Sequence, residues 1–186
     1  MAIFCSIFTL CCLTSIVLVS GSDAAAAAAA AVPTTTTDLA TKVCRTTSNY
    51  AFCHNAIYSD PRAAGADQYF LSYVALRQAH LNATETLDYI TSKLKSMKAG
   101  QGSGLLRGLR KCEGYYQEAI RTLTEMMGNL DSETFYGLDK LSIDVEGSIR
   151  ACEASMGEGS DLSKRNEDLI RLSDICHAVS KLYTYH

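Results

Sequence analysis

The sequence predicts an all-α protein, an up-down-up-down four-helix bundle with a disulfide-stapled helical hairpin projecting from its N-terminal end. Three observations carry that reading. Apolar residues at Leu105, Leu109, Cys112, Tyr116, Ala119, Leu123, Met126 and Leu130 recur in alternating steps of four and three, one buried seam along a helix. The pattern pauses at the turn-forming cluster Gly128 to Ser132 and resumes through Leu138, Leu141, Val145, Ile149 and Cys152, so two helices fold back on each other. Glycine-bearing loops separate the long helical stretches, and no segment shows a competing strand pattern.

Taken from the start, Met1 to Val19 is almost entirely apolar and runs into Ser20, Gly21, Ser22 and Asp23. Residues 1–23 thus have the composition of a secretory signal peptide. The stretch has no Lys or Arg and approaches the roughly 17–25 residues that span a bilayer, so an uncleaved anchor is the alternative. No other segment can cross a membrane. Residues 24–37, alanines and threonines around Val32 and Pro33, hold too little bulky apolar surface to pack and read as a linker. Folding begins near Asp38 and leaves about 149 residues, one domain of ordinary size running over 38–186.

Within that domain, residues 38–60 form the hairpin. Asp38 is placed to cap a short helix ending near Cys44, and Ser48-Asn49 marks the turn before helical spacing resumes from Tyr50 to Tyr58. Cys44 and Cys53 are close enough in sequence to staple a unit too small for a core of its own. Zinc is the weaker use of these cysteines, because only His54 lies nearby and a zinc site needs four ligands in two close-spaced pairs.

The four bundle helices occupy 66–186. The first runs from Ala66 to Met97, with Phe70, Val74, Leu81, Leu87, Ile90, Leu94 and Met97 on a drifting face; Asp60-Pro61 blocks helix before it and the glycines from Gly100 to Gly104 end it. Asn82-Ala83-Thr84 within it is a glycosylation sequon. The second and third are the seam pair described above. The fourth follows Gly157-Glu158-Gly159 and carries Leu162, Leu169, Leu172, Cys176, Val179 and Tyr183.

An antiparallel return about Ser132 sets Met126 opposite Leu138, Leu123 opposite Leu141, Ala119 opposite Val145 and Cys112 opposite Cys152. A disulfide needs Cα atoms roughly 4.4–6.8 Å apart, and this register supplies that proximity for a Cys112–Cys152 bridge. Of the 8 cysteines, Cys5, Cys11 and Cys12 leave with the signal, so one of the remaining five is unpaired. Cys176 is that residue, since pairing it with Cys112 or Cys152 demands a helix offset of about 10 Å. Its wheel position beside Leu169, Leu172 and Val179 is that of a buried free thiol rather than a reactive one.

The residues now carry a resemblance. Cys44-Arg-Thr-Thr-Ser-Asn-Tyr-Ala-Phe-Cys53, Ser59-Asp60-Pro61-Arg62, Ala66-Asp67, Leu109-Arg-Lys-Cys112-Glu-Gly-Tyr115-Tyr116-Gln-Glu-Ala119, Ala151-Cys152-Glu153 and a closing helix near Asn166 are similar to the plant invertase and pectin methylesterase inhibitors over Asp38 to His186. The resemblance implies the same two disulfides and a secreted inhibitor that occupies the active-site region of a carbohydrate-active enzyme. It implies an apoplastic or cell-wall location, with the vacuole as alternative. Invertase-contacting members carry Pro-Lys-Phe after the second bundle helix; this chain reads Asp131-Ser-Glu-Thr-Phe135-Tyr136-Gly137, matching only at the phenylalanine. The reading therefore leans to pectin methylesterase, with acid invertase as the alternative target and a non-inhibitory structural or signalling bundle as a third.

Other function classes find less support. His54, His80, His177 and His186 lie at no spacing that assembles a catalytic site. Cys176 and His177 are adjacent on a helix and point about 100° apart, which makes them a core cysteine beside a surface histidine. No cofactor is expected: Gly100 to Gly104 follows a helix, without the Lys-Ser or Lys-Thr of a phosphate loop, and the seams show no run of small residues to leave a cavity. Net charge is -3, so nucleic acid is not an expected partner. A monomer is expected, docking through the outward face of the Leu105–Cys152 helix pair, where Glu113, Gln117, Arg121, Thr124, Asp139, Asp144 and Arg150 point away from the seam. Arg121, Phe135 and Tyr136 are the expected partner contacts by residue type, with core capping as the alternative role for the two aromatics.

Overall fold

The computed structural model describes residues 38–97, 102–157 and 159–183. The expected signal peptide and linker, the loop at 98–101, Glu158 and His186 lie outside the described residues.

Local chemistry sets the start of each early helix. The Asp38 carboxylate accepts from the Thr41 N–H at 2.8 Å and opens α1 (Leu39–Cys44). Asn49 accepts from the Phe52 N–H at 3.0 Å and opens α2 (Tyr50–Tyr58). Asp67 accepts from the Phe70 N–H at 2.8 Å and opens α3 (Gln68–Ser96). Each oxygen satisfies a first-turn amide that a helix leaves without a partner. The remaining long helices are α4 (Ser103–Asp131), α5 (Leu138–Met156) and α6 (Ser163–Ser180).

Helices α3, α4, α5 and α6 pack each against the next, and α6 returns to α3, closing a four-cornered bundle. The α4 seam is buried from Leu109 to Leu130, and Leu138, Val145, Ile149 and Cys152 meet it from α5. Cys112 and Cys152 are joined with Cα atoms 4.6 Å apart, and Cys44 is joined to Cys53 at 5.4 Å. Across the core, the buried Tyr116 hydroxyl donates to Asn166 Oδ1 at 2.8 Å. Cys176 is unpaired and buried, and burial pushes its thiol up to about 12, so at neutral pH it is a small apolar core residue.

Three expectations are corrected. Leu105 is 44% exposed rather than part of the seam. In the register fixed by the Cys112–Cys152 bridge, Gly108 meets Ser155 and Met156, the last residues of α5, so α5 ends before it reaches the turn of α4 that holds Leu105. On α3 the expected face is buried only at Val74 and Ile90: Leu71, Leu76 and the small residues Ala75, Ala79 and Ala83 are buried with them, while Leu81 is 40% exposed. The alanines let backbones approach closely and push Phe70, Leu87 and Leu94 to half-buried edges. The N-terminal hairpin does not project from the bundle but rests on α3 and α6, where Cys44, Cys53 and Ile57 are buried. The Ser48 N–H and hydroxyl both donate to the Asp174 carboxylate at 2.7 Å, tying its turn to α6.

The α4–α5 contact makes one glycine critical. A Cβ on Gly108 would stand 2.8 Å from the Ser155 carbonyl oxygen and 2.9 Å from Met156 Sδ. Ala is the better helix former by about 1 kcal/mol, yet the clash is with backbone and costs about 1–3 kcal/mol. Gly108→Ala is therefore expected to lower the unfolding free energy despite its helix propensity. Urea denaturation showing a more stable variant would contradict this packing.

Candidate functional site

The surface to consider is built where α4 and α5 lie side by side above their buried seam. Tyr115, Glu118, Arg121 and Glu125 recur along one edge of α4, and Lys140, Ile143, Asp144, Gly147, Ser148 and Ala151 along the facing edge of α5. Because Gly147, Ser148 and Ala151 are small, the edges do not meet and an open groove of about 770 Å³ runs between the helices. Ile143 stands in it 57% exposed. The charges are largely matched within each helix: Arg121 pairs with Glu118, whose carboxyl is held below its usual range by that hydrogen bond, and Lys140 reaches Asp144 at 3.1 Å. The result is an open trough of nearly balanced charge, lined by polar and apolar side chains alike, with Ile143 exposed in it. Among the described residues no group of His, Cys, Asp and Glu could hold a metal ion.

Of the contacts expected from sequence, Arg121 lines this groove and the two aromatics part company. Tyr136 is 87% exposed. Phe135 is half-buried and stacks on Tyr183 with ring centroids 4.2 Å apart and planes at 10°. Tyr183 is itself anchored, its hydroxyl donating to the Gln68 carbonyl at 3.0 Å, because α6 ends at Ser180 and a 3-10 turn swings Lys181–Tyr183 over the bundle end. Phe135 adopts φ 49° to make the stack, a left-handed conformation uncommon for a bulky side chain. Phe135→Ala is thus expected to cost about 1–2 kcal/mol of stability, whereas Tyr136→Ala should leave the melting temperature alone. Thermal unfolding of the two variants checks both halves.

Ile143 and Gly147 were missed by sequence reasoning. Their signal was present: Ile143 falls between the seam positions Leu141 and Val145, off the apolar face, and Gly147 sits in mid-helix where glycine is unfavourable. His177 is also corrected, since it is half-buried, with Nδ1 3.1 Å from Ser142 Oγ and 3.3 Å from the Asp139 carbonyl oxygen. Asn82 is half-buried on α3.

A second motif lies where the hairpin meets α3. Asp60 accepts from the Arg62 backbone N–H at 3.0 Å and from its guanidinium at 2.9 and 2.6 Å, and Arg62 lies over the Phe70 ring at 5.0 Å. These bonds hold the Asp60 carboxyl at about 2, below its ordinary 3.8. A lowered folded-state value means that the stabilisation is full above 3.8 and is lost as pH falls through about 2. Asp60→Asn should therefore melt below the parent at about pH 5 and converge with it near pH 2; a melting difference independent of pH would remove the carboxylate from this role.

The comparisons with known proteins decide the family. The model for "Plant invertase/pectin methylesterase inhibitor" matches residues 38–179. The chain belongs to this family. Its members are inhibitors of enzymes rather than enzymes. Among solved structures, a mutant form of a pectin methylesterase inhibitor from Arabidopsis superposes with a TM-score of 0.68 at 20% identity, covering 78% of this chain and 97% of that one. A pectin methylesterase inhibitor from Arabidopsis thaliana gives 0.60 at 19% identity, covering 79% and 97%. At such identities the likeness shows the bundle fold alone. By sequence, the chain is 31% identical over 99 residues to the Arabidopsis thaliana cell wall / vacuolar inhibitor of fructosidase 2, a match covering 53% of this chain and 54% of that protein. The aligned region thus spans about half the length of this inhibitor-family relative.

Proposed function

We propose that the chain is secreted to the cell wall and inhibits a pectin methylesterase by laying the α4–α5 groove over the enzyme's active-site region. The observation that carries this reading is the groove itself, a preformed trough on two disulfide-joined helices with Ile143 exposed along it. Rigid helices lower the ordering cost of docking, and a protein interface of standard size needs about 800 Å² per partner. Support also comes from Phe135, the one residue that matches the invertase-contacting loop, because its ring is committed to Tyr183.

A second reading, inhibition of an acid invertase in the cell wall or vacuole, is favoured by the 31% identity to an inhibitor of fructosidase. One experiment separates the two. The oxidised mature chain is titrated in parallel into a pectin methylesterase and an acid invertase, and both residual activities are followed. Loss of methylesterase activity supports the first reading and loss of invertase activity alone the second. If neither falls, the inhibitory role is wrong for both targets.

A further inference from the structure

Asn82, Ala83 and Thr84 form the triplet that oligosaccharide transfer to an asparagine amide requires. In the fold, Asn82 lines an open groove of about 400 Å³ between α2, α3 and α6. Its Oδ1 is buried and makes no hydrogen bond within the protein. With the oxygen turned inward, the amide nitrogen, where a glycosidic bond is made, is the end of the planar group that faces the groove. The mouth is accessible, since Leu81 is 40% exposed and Glu85, one turn along α3, is exposed. The walls mix apolar surface from Phe52 and Leu81 with hydrogen-bonding groups from Asn55, Gln78, Glu85 and Asp168. Such a combination receives a sugar ring, with an apolar face and a rim of hydroxyls.

We propose that Asn82 carries an N-linked oligosaccharide whose first acetamido sugar is seated in the α2–α3–α6 groove. The bond forms between Asn82 Nδ2 and the anomeric carbon of an oligosaccharide supplied on a lipid diphosphate; the amide gives up one proton and the lipid diphosphate leaves. The proposal rests on the secretory reading above, because that donor faces the lumen of the secretory route. Transfer occurs on the unfolded chain, so a mid-helix position is no obstacle provided the folded state leaves room. The α3–α6 and α4–α5 sides are opposite each other in the bundle, so the glycan leaves the proposed docking surface clear.

The test expresses the full chain in mammalian secretory cells, once with its own first residues and once behind an established leader, and weighs the secreted protein before and after peptide N-glycosidase. Wild type and Thr84→Ser are expected to carry one removable oligosaccharide, and Asn82→Gln and Thr84→Ala none, with inhibition equal in all four. Protein secreted behind the established leader with no glycosidase-sensitive mass overturns the proposal. Failure of secretion with the chain's own first residues alone overturns the secretory reading, and the other arm still decides Asn82. Trimmed to the first sugar, the protein should melt higher than the sugar-free chain from a bacterial periplasm; equal melting overturns the seat in the groove.

Discussion

Replacing Cys112 and Cys152 together with alanine is expected to lower the unfolding free energy by about 4 kcal/mol. The bridge spans a sequence separation of 40 residues, and the entropy that such a cross-link removes from the unfolded chain grows with the logarithm of the loop it closes. Cys44 and Cys53, separated by 9, give about 2.5 kcal/mol by the same relation. The larger loss falls on the pair of helices that carries the groove, both of whose bridging residues are fully buried. Guanidinium denaturation of the oxidised parent and the double variant measures the difference directly. A loss under about 1 kcal/mol would mean that the unfolded chain is already held near its native register, and that the α4–α5 seam does not need the bridge.

The second large effect is expected on inhibition, with stability moving the opposite way. Gly147 lies exposed in mid-α5 on the groove wall, and a Cβ there meets nothing within 4 Å. Gly147→Arg should raise the unfolding free energy by about 0.5–1 kcal/mol, because arginine favours helix and glycine does not. The long side chain nonetheless fills the trough that the small residues of α5 leave open. Inhibition of pectin methylesterase should weaken at least about tenfold, the equivalent of about 1.4 kcal/mol, since centrally placed groups dominate interface energetics. A variant that is more stable and inhibits as well as the parent would move the docking surface elsewhere on the bundle.

Much of this protein was legible residue by residue. The alternating three- and four-residue apolar steps of α4 and α5 determined that they pair antiparallel, and that register brought Cys112 to Cys152. Asp38 and Asn49 marked helix starts because short oxygen-bearing side chains satisfy first-turn amides wherever they precede a helical run. The family resemblance was likewise visible in the cysteine spacing and its flanking residues. These features are local or repeat with a fixed period, so a linear reading recovers them.

The tertiary structure alone decided how each surface is built. Which face of α3 is buried depended on alanines that carry little hydrophobic signal but allow close helix approach, a property of the neighbouring backbones rather than of α3. Phe135 and Tyr136, adjacent and equally aromatic, took opposite fates because a 3-10 turn at the far end of the chain brought Tyr183 under one ring and left the other in solvent. The groove exists because small residues on α5 face spaced side chains on α4 across a gap, and the Asn82 amide lies at the edge of another only because the hairpin folds down onto α3 and α6. Each is a relation between residues far apart in the chain, set by packing that no local periodicity encodes.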